Sequence, residues 1–185
     1  LLLPEKPMTG RFDNQKVGYF TNPLLSFSDA QQGTDKKQYI TRWRMEPKPE
    51  DREAYLKVQT VEPIKPIVFY IDNSTPYQWR SYIKKGIEDW QTAFEKAGFK
   101  NAIIAKEITD SMHVDMDDVN YYVLTYAASE KKNAMGPSLL DPRSGEILEA
   151  DIMWWHNVLS MVREWITVQT GTVCPEARNV QLPDA

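Results

Sequence analysis

The sequence predicts an α+β fold: a mixed twisted β-sheet with one long amphipathic helix, preceded by a small β-rich extension. Three observations carry that prediction. Ile67, Val68, Phe69, Tyr70 and Ile71 are β-branched or aromatic and lie between Pro66 and the polar Asp72-Asn73-Ser74 cluster, as a largely buried strand requires. Trp79, Tyr82, Ile83, Gly86, Ile87, Trp90, Phe94 and Ala97 then recur at three- and four-residue steps, with Arg80, Lys84, Lys85, Glu88, Asp89, Gln91, Glu95 and Lys96 on the other face. Apolar runs return at 102–108 and 121–127, so strand, helix and strand are expected to form a right-handed βαβ unit.

Residues 1–66 hold seven of the twelve prolines and few periodic stretches. Lys16–Phe20 and Leu24–Phe27 are short strand candidates, and Gln31–Lys37 reads as a polar turn region. Gln38–Met45 is the better strand, with Tyr39, Thr41, Trp43 and Met45 on one face and Gln38, Arg42 and Arg44 on the other. From Glu46 to Pro66, four prolines surround a charged Glu50–Lys57 segment suited to a turn or two of helix. This strap separates a β-rich extension, 1–66, from the main domain, 67–185.

Thr75 is placed to cap the long helix in a box with Gln78, Pro76 suits its first position, and Gly98 supplies a left-handed stop with Phe99 folded back on the last turn. Thr109–Asn120 and Ser129–Gly136 read as loops, and Asp141–Gly145 as a tight turn. Glu146–Trp154 reads as one strand with acid groups on one face, a pattern that suits a sheet edge. Asn157 can cap a second helix, Val158–Thr170, whose inner face would carry Leu159, Val162, Trp165, Ile166 and Gln169. The chain is irregular from Gly171 onward.

A chain of 185 residues with 42% hydrophobic residues can bury a core of one ordinary domain or two small ones. Its formal charge of −4 and the lack of a basic block interleaved with aromatics give nucleic acid no electrostatic footprint. Cys174, the single cysteine, excludes an internal disulfide and any multi-cysteine zinc site, and only His113 and His156 can offer imidazole. No apolar run approaches the roughly 20 residues of a membrane helix. With no initiator Met, no signal peptide and no capped last element, the chain is expected to be a piece of a longer one.

Each candidate for chemistry has a plainer reading beside it. Asp110, Asp115, Asp117 and Asp118 could offer oxygen ligands to calcium, but they lack the ordered spacing and turn glycine of a calcium loop, and a solvated acidic loop is the better reading. Asp151 could orient His156, yet no nucleophile accompanies them, and a histidine bonded to backbone near a helix start is simpler. Cys174 has no basic neighbour to lower its pKa, and Ser144 lacks the glycines of a nucleophile elbow. Trp79, Trp90, Trp154 and Trp155 either line a groove or pack in the core. Residue types alone stop at an α+β domain with a β-rich extension.

The wording of the sequence goes further. KPIVFYIDNSTPYQWRSYIKKGIEDWQTAFEKAGFKNAIIAKE and NAMGPSLLDPRSGEILEADIMWWHNVLSMVREWITVQT resemble a family of large secreted or envelope-attached bacterial zinc metalloproteases, common in Bacteroidetes and related to the metzincins. MTGRFDNQKVGYFTNP and YITRWRMEPKPED resemble the segment that precedes the protease domain there. The resemblance implies an incomplete metzincin-like upper subdomain, extracytoplasmic, in a parent enzyme that hydrolyses peptide bonds. In that family a later helix carries H-E-x-x-H-x-x-G-x-x-H, its histidines binding zinc and its Glu activating water. This chain has no H-E-x-x-H, so zinc ligands and general base cannot be placed on any of its residues, and the piece alone is expected to be inactive. The resemblance carries over an edge strand that would pair with a peptide substrate, Gly145, Glu146, Ile147, Leu148, Glu149, Ala150, Asp151 and Ile152. The alternative is a non-catalytic extracytoplasmic binding or interaction module using an exposed sheet edge.

Overall fold

Ile67, Phe69 and Ile71 point to one side of a strand, Ile67–Ile71 (β3), and are nearly fully buried, while Val68 and Tyr70 are half-buried on the other side. In the computed structural model, which describes residues 3–109, 112–171 and 173–174, β3 lies between two parallel strands, Ile103–Glu107 (β4) and Tyr122–Ala127 (β5). Ile152–Trp155 (β9) runs parallel beside β5, and the two-residue Ala134–Met135 (β6) pairs antiparallel with β9. The order β4-β3-β5-β9-β6 makes a five-stranded mixed sheet. The fold is α+β, as expected.

The expected long helix is two helices, Tyr77–Glu88 (α2) and Gln91–Lys96 (α3). At the break the Trp90 amide bonds the Ile87 carbonyl rather than one four residues back, a tightened turn. The Gln91 side chain anchors that turn elsewhere: Nε2 donates to the Phe99 carbonyl at 3.0 Å, and Oε1 accepts the Ala102 amide at 2.8 Å. Such a contact is invisible to periodicity. The capping box is also absent, because Pro76 takes the cap position and the Thr75 hydroxyl is buried without a partner. Arg80 holds the helix start instead, donating to the Thr75 and Asn73 carbonyls at 2.9 Å each. Gly98 does adopt the left-handed conformation, and Phe99 is buried with its ring stacked on Tyr55.

The N-terminal stretch forms a hairpin, Thr21–Ser28 (β1) against Gln31–Ile40 (β2), registered from Thr21 opposite Ile40 to Ser28 opposite Gln31. Three expectations are corrected here. Residues 16–20 are not a strand, the polar 31–37 segment is one, and the strand ends at Ile40 instead of continuing to Met45. Residues 31–37 are exposed on both faces, so backbone pairing holds them in a strand that has no apolar period to betray it. The charged segment beyond does form a short helix, Arg52–Leu56 (α1).

Residues on both sides of Pro66 share packing. Trp43 and Met45 lie against the core of Ile67, Phe69, Ile71, Ile87, Ala105, Tyr122 and Leu124. Val61, Phe99 and Ala102 form a second cluster that Met45 and Tyr55 touch. Three guanidinium groups brace the first residues: Arg143 donates to the Pro4 carbonyl at 2.8 Å, Arg44 to Lys6 at 2.9 Å and Arg42 to Thr9 at 2.6 Å. Arg44 also grips the buried Glu146 carboxylate through both oxygens, at 2.7 and 2.6 Å. Gly145 lies under this brace with φ +73°, and a Cβ there would meet the Ile40 carbonyl oxygen at 2.4 Å.

The reading of Glu146–Trp154 as one edge strand is corrected as well. Ile147–Ala150 (β8) pairs with Ser138–Leu140 (β7) in a separate two-stranded sheet, Asp151 intervenes, and β9 then enters the interior of the main sheet. Val158–Trp165 (α4) follows without a side-chain cap from Asn157 and passes into a wider π-type turn at Ile166–Thr170. Of its expected inner face Leu159 is half-buried, while Val162, Trp165 and Ile166 are exposed.

Candidate functional site

The sheet and the inner sides of α2 and α3 enclose a cleft of about 820 Å³. Phe69, Leu124 and Trp154 line it from the sheet, Trp79 and Trp90 from the helices, and Leu159 from α4. No charged side chain of the described residues lines it. The helical stripe read from the sequence is this lining, and Trp90 is still 65% exposed. Trp155, in contrast, is buried, so the tryptophans divide between groove and core.

At one border of the sheet is β6. Trp155 donates its amide to the Asn133 carbonyl and Asp151 donates to Pro137, so in an antiparallel ladder the intervening Ala134 and Gly136 peptide groups turn away from β9. Ala134 and Met135 are exposed, and among the described residues β6 has no strand on its outer side. The Asn133 side chain accepts the outward Ala134 amide at 2.8 Å. Lys132 pairs with Glu164 of α4, and Lys131 lies 5.0 Å over the Trp155 ring, so the loop leading to this edge is tethered. Sequence reasoning missed β6 because two residues carry no alternation; the turn-prone Gly136-Pro137 after it was the available signal.

The stretch that the resemblance assigned to substrate is largely paired already. Gly145 and Ile147 exchange backbone hydrogen bonds with Arg42, at 3.1 and 3.0 Å, Glu146 is held by Arg44, and Ile147, Glu149 and Ala150 face β7. Leu148 accepts the Tyr122 hydroxyl at 3.4 Å, Asp151 accepts the Val123 amide, and Ile152 lies opposite Leu124 inside the main sheet. Strand addition needs an open edge; among the described residues the main sheet offers one at β6 and the small sheet another at β7.

Asp151 and His156 are not brought together. The His156 ring Nδ1 lies 2.7 Å from the Tyr126 hydroxyl, and its amide donates to Ala127. Asp115 and Asp118 close local turns on the amides of Asp117 and Asn120, while Asp110 lies outside the described residues. Ser144 is fully buried and accepts the Glu146 amide; Cys174 is exposed. In the turn itself, the bidentate Arg143 hydrogen bonds hold the buried Asp141 carboxyl below the usual carboxylate range. Burial, with Arg11 adding to it, lowers the Arg42 guanidinium. Zinc finds no ligand set: among the described residues no three His, Cys, Asp or Glu side chains gather, and His113 is exposed in a polar loop.

No curated protein and no solved structure matches the chain. Residues 1–48, about a quarter of the 185, match the profile of a family described as a domain of unknown function, DUF5117. The matched segment includes Arg42 and Arg44 and the three carbonyls that the brace holds.

Proposed function

We propose that this chain supplies the sheet, first helices and substrate rim of an extracytoplasmic zinc metallopeptidase related to the metzincins, the zinc ligands coming from residues outside those described. The single observation that carries the reading is the mixed sheet whose one antiparallel strand, β6, is an open edge beside a wide apolar cleft. A peptide can extend that edge through the outward Ala134 and Gly136 groups once the Asn133 side chain swings off the Ala134 amide. The cleft, with Trp90 and Trp79 at its side, offers an apolar wall against which a further helix of about 10–12 Å diameter can pack. No proton transfer or nucleophilic step falls to a residue described here. These residues bind, orient and wall off.

The test is peptide hydrolysis by the parent polypeptide. Hydrolysis lost to a chelator, restored by zinc and weakened in the KM term by Gly136→Pro is the expected result, since proline removes an outward N–H from the edge. A parent without H-E-x-x-H, or hydrolysis indifferent to chelation, overturns the reading. A non-catalytic module that captures peptides on the same edge would bind with the same Gly136 dependence and cleave nothing.

A further inference from the structure

Asp151 is the one residue between the small sheet β7–β8 and the interior strand β9, and it ties three elements together. Its Oδ1 accepts the Val123 amide of β5 at 2.8 Å, and its own amide donates to Pro137, just past β6, at 3.1 Å. Two residues earlier Glu149 is 9% exposed, and its Oε1 is buried without a hydrogen-bond partner. Uncharged groups face it from the neighbouring elements: Leu139 stands opposite in β7, and Tyr122 of β5 is occupied with the Leu148 carbonyl. Asp151 is the charged group that bears on it. A buried carboxyl beside another carboxylate favours its neutral form, and a proton held on Glu149 can be donated to Asp151.

We propose that Glu149 and Asp151 form a proton-operated latch at the junction of the two sheets. With the proton held on Glu149, Asp151 stays on Val123 and Pro137, and β8 stays against β5. With it lost, the two carboxylates repel, and the junction that also positions the β6 edge loosens. The latch stands whether or not the chain belongs to a peptidase.

Burial first, and the Asp151 charge second, push Glu149 from its ordinary 4.5 up to about 7. The folded chain therefore keeps a proton that the unfolded chain has released. Its contribution is complete below 4.5 and declines as pH rises from there to about 7.

The experiment compares the native chain with Glu149→Gln, whose amide can donate to Asp151 without titrating. Thermal midpoints and hydrogen exchange at the Val123 amide are followed from about pH 5 to about pH 8. In the native chain the midpoint falls with pH, and Val123 protection, corrected for intrinsic exchange, drops about tenfold, the change that one pKa unit of coupling brings. In Glu149→Gln this fall is missing from both. The two histidines are common to both proteins, so the difference isolates Glu149. Parallel pH profiles in the two proteins overturn the latch. Should Glu149→Gln fail to fold, Val123 protection in the native chain decides alone: a fall supports the latch, and constancy overturns it.

Discussion

The hairpin β1–β2 and the segment that follows it, residues 41–45, belong to the same N-terminal stretch and meet the rest of the molecule in opposite ways. In the hairpin the strands pair with each other, and Leu25 and Phe27 stand 65% and 79% exposed. In the following segment Trp43 packs on the Tyr122 ring at 5.1 Å, and Arg44 closes on Glu146. Regular secondary structure is thus not what attaches this stretch to the sheet. A few side-chain contacts around Gly145 do so, and substitutions at the two places should differ by several kcal/mol if that is correct.

The largest effect is expected at Gly145. Alanine there must hold φ near +73°, which costs about 1–3 kcal/mol, and its Cβ meets a backbone oxygen that no rotamer change can move. The backbone exchange between Arg42 and residues 145–147 would open, for a total near 4 kcal/mol. Denaturant unfolding measures it. A loss below about 1 kcal/mol would show that the brace gives way freely and would erase the contrast with the hairpin.

Arg44→Ala comes second. It leaves the Glu146 carboxylate 8% exposed and without its partner, which for a closed site costs about 3–5 kcal/mol. Arg44 itself is 29% exposed, so water can reach part of the gap, and about 2 kcal/mol is the expected loss. Because Arg44 also holds the Lys6 carbonyl, protease cleavage ahead of Gly10 should accelerate in the same variant. Unchanged cleavage would mean that Arg42 and Arg143 suffice for the first residues.

How far the sequence spoke follows the same division. The strand at 67–71 was legible because burial on a sheet face demands β-branched and aromatic residues, and the stop at Gly98 because only glycine takes that backbone easily. The hairpin was hidden by polar residues whose pairing is through backbone alone, and β6 by having two residues. Helix periodicity showed Trp79 and Trp90 on one face without showing whether anything covers it, since period reports a face and never its partner. The break at Asp89–Trp90 depends on Gln91 reaching past the helix end to Phe99 and Ala102, and the brace on Arg44, whose partner is 102 residues away. The sequence shows Glu149 and Asp151 as acid groups sharing a face; the burial of Glu149 and its unpartnered Oε1 belong to the packing of β8 on its neighbours.

The smallest effect should come from the hairpin. Replacing Leu25 and Phe27 together by serine removes apolar surface that already faces water, so little burial is lost and stability should move by no more than about 0.5 kcal/mol. What should change is self-association. An open two-stranded hairpin that displays Leu25 and Phe27 is a template for another copy, and the double substitution should lower any concentration-dependent sedimentation of the native chain. A loss above about 1 kcal/mol would instead mean that these side chains rest on something in solution, and the hairpin would then join the brace as a point of attachment.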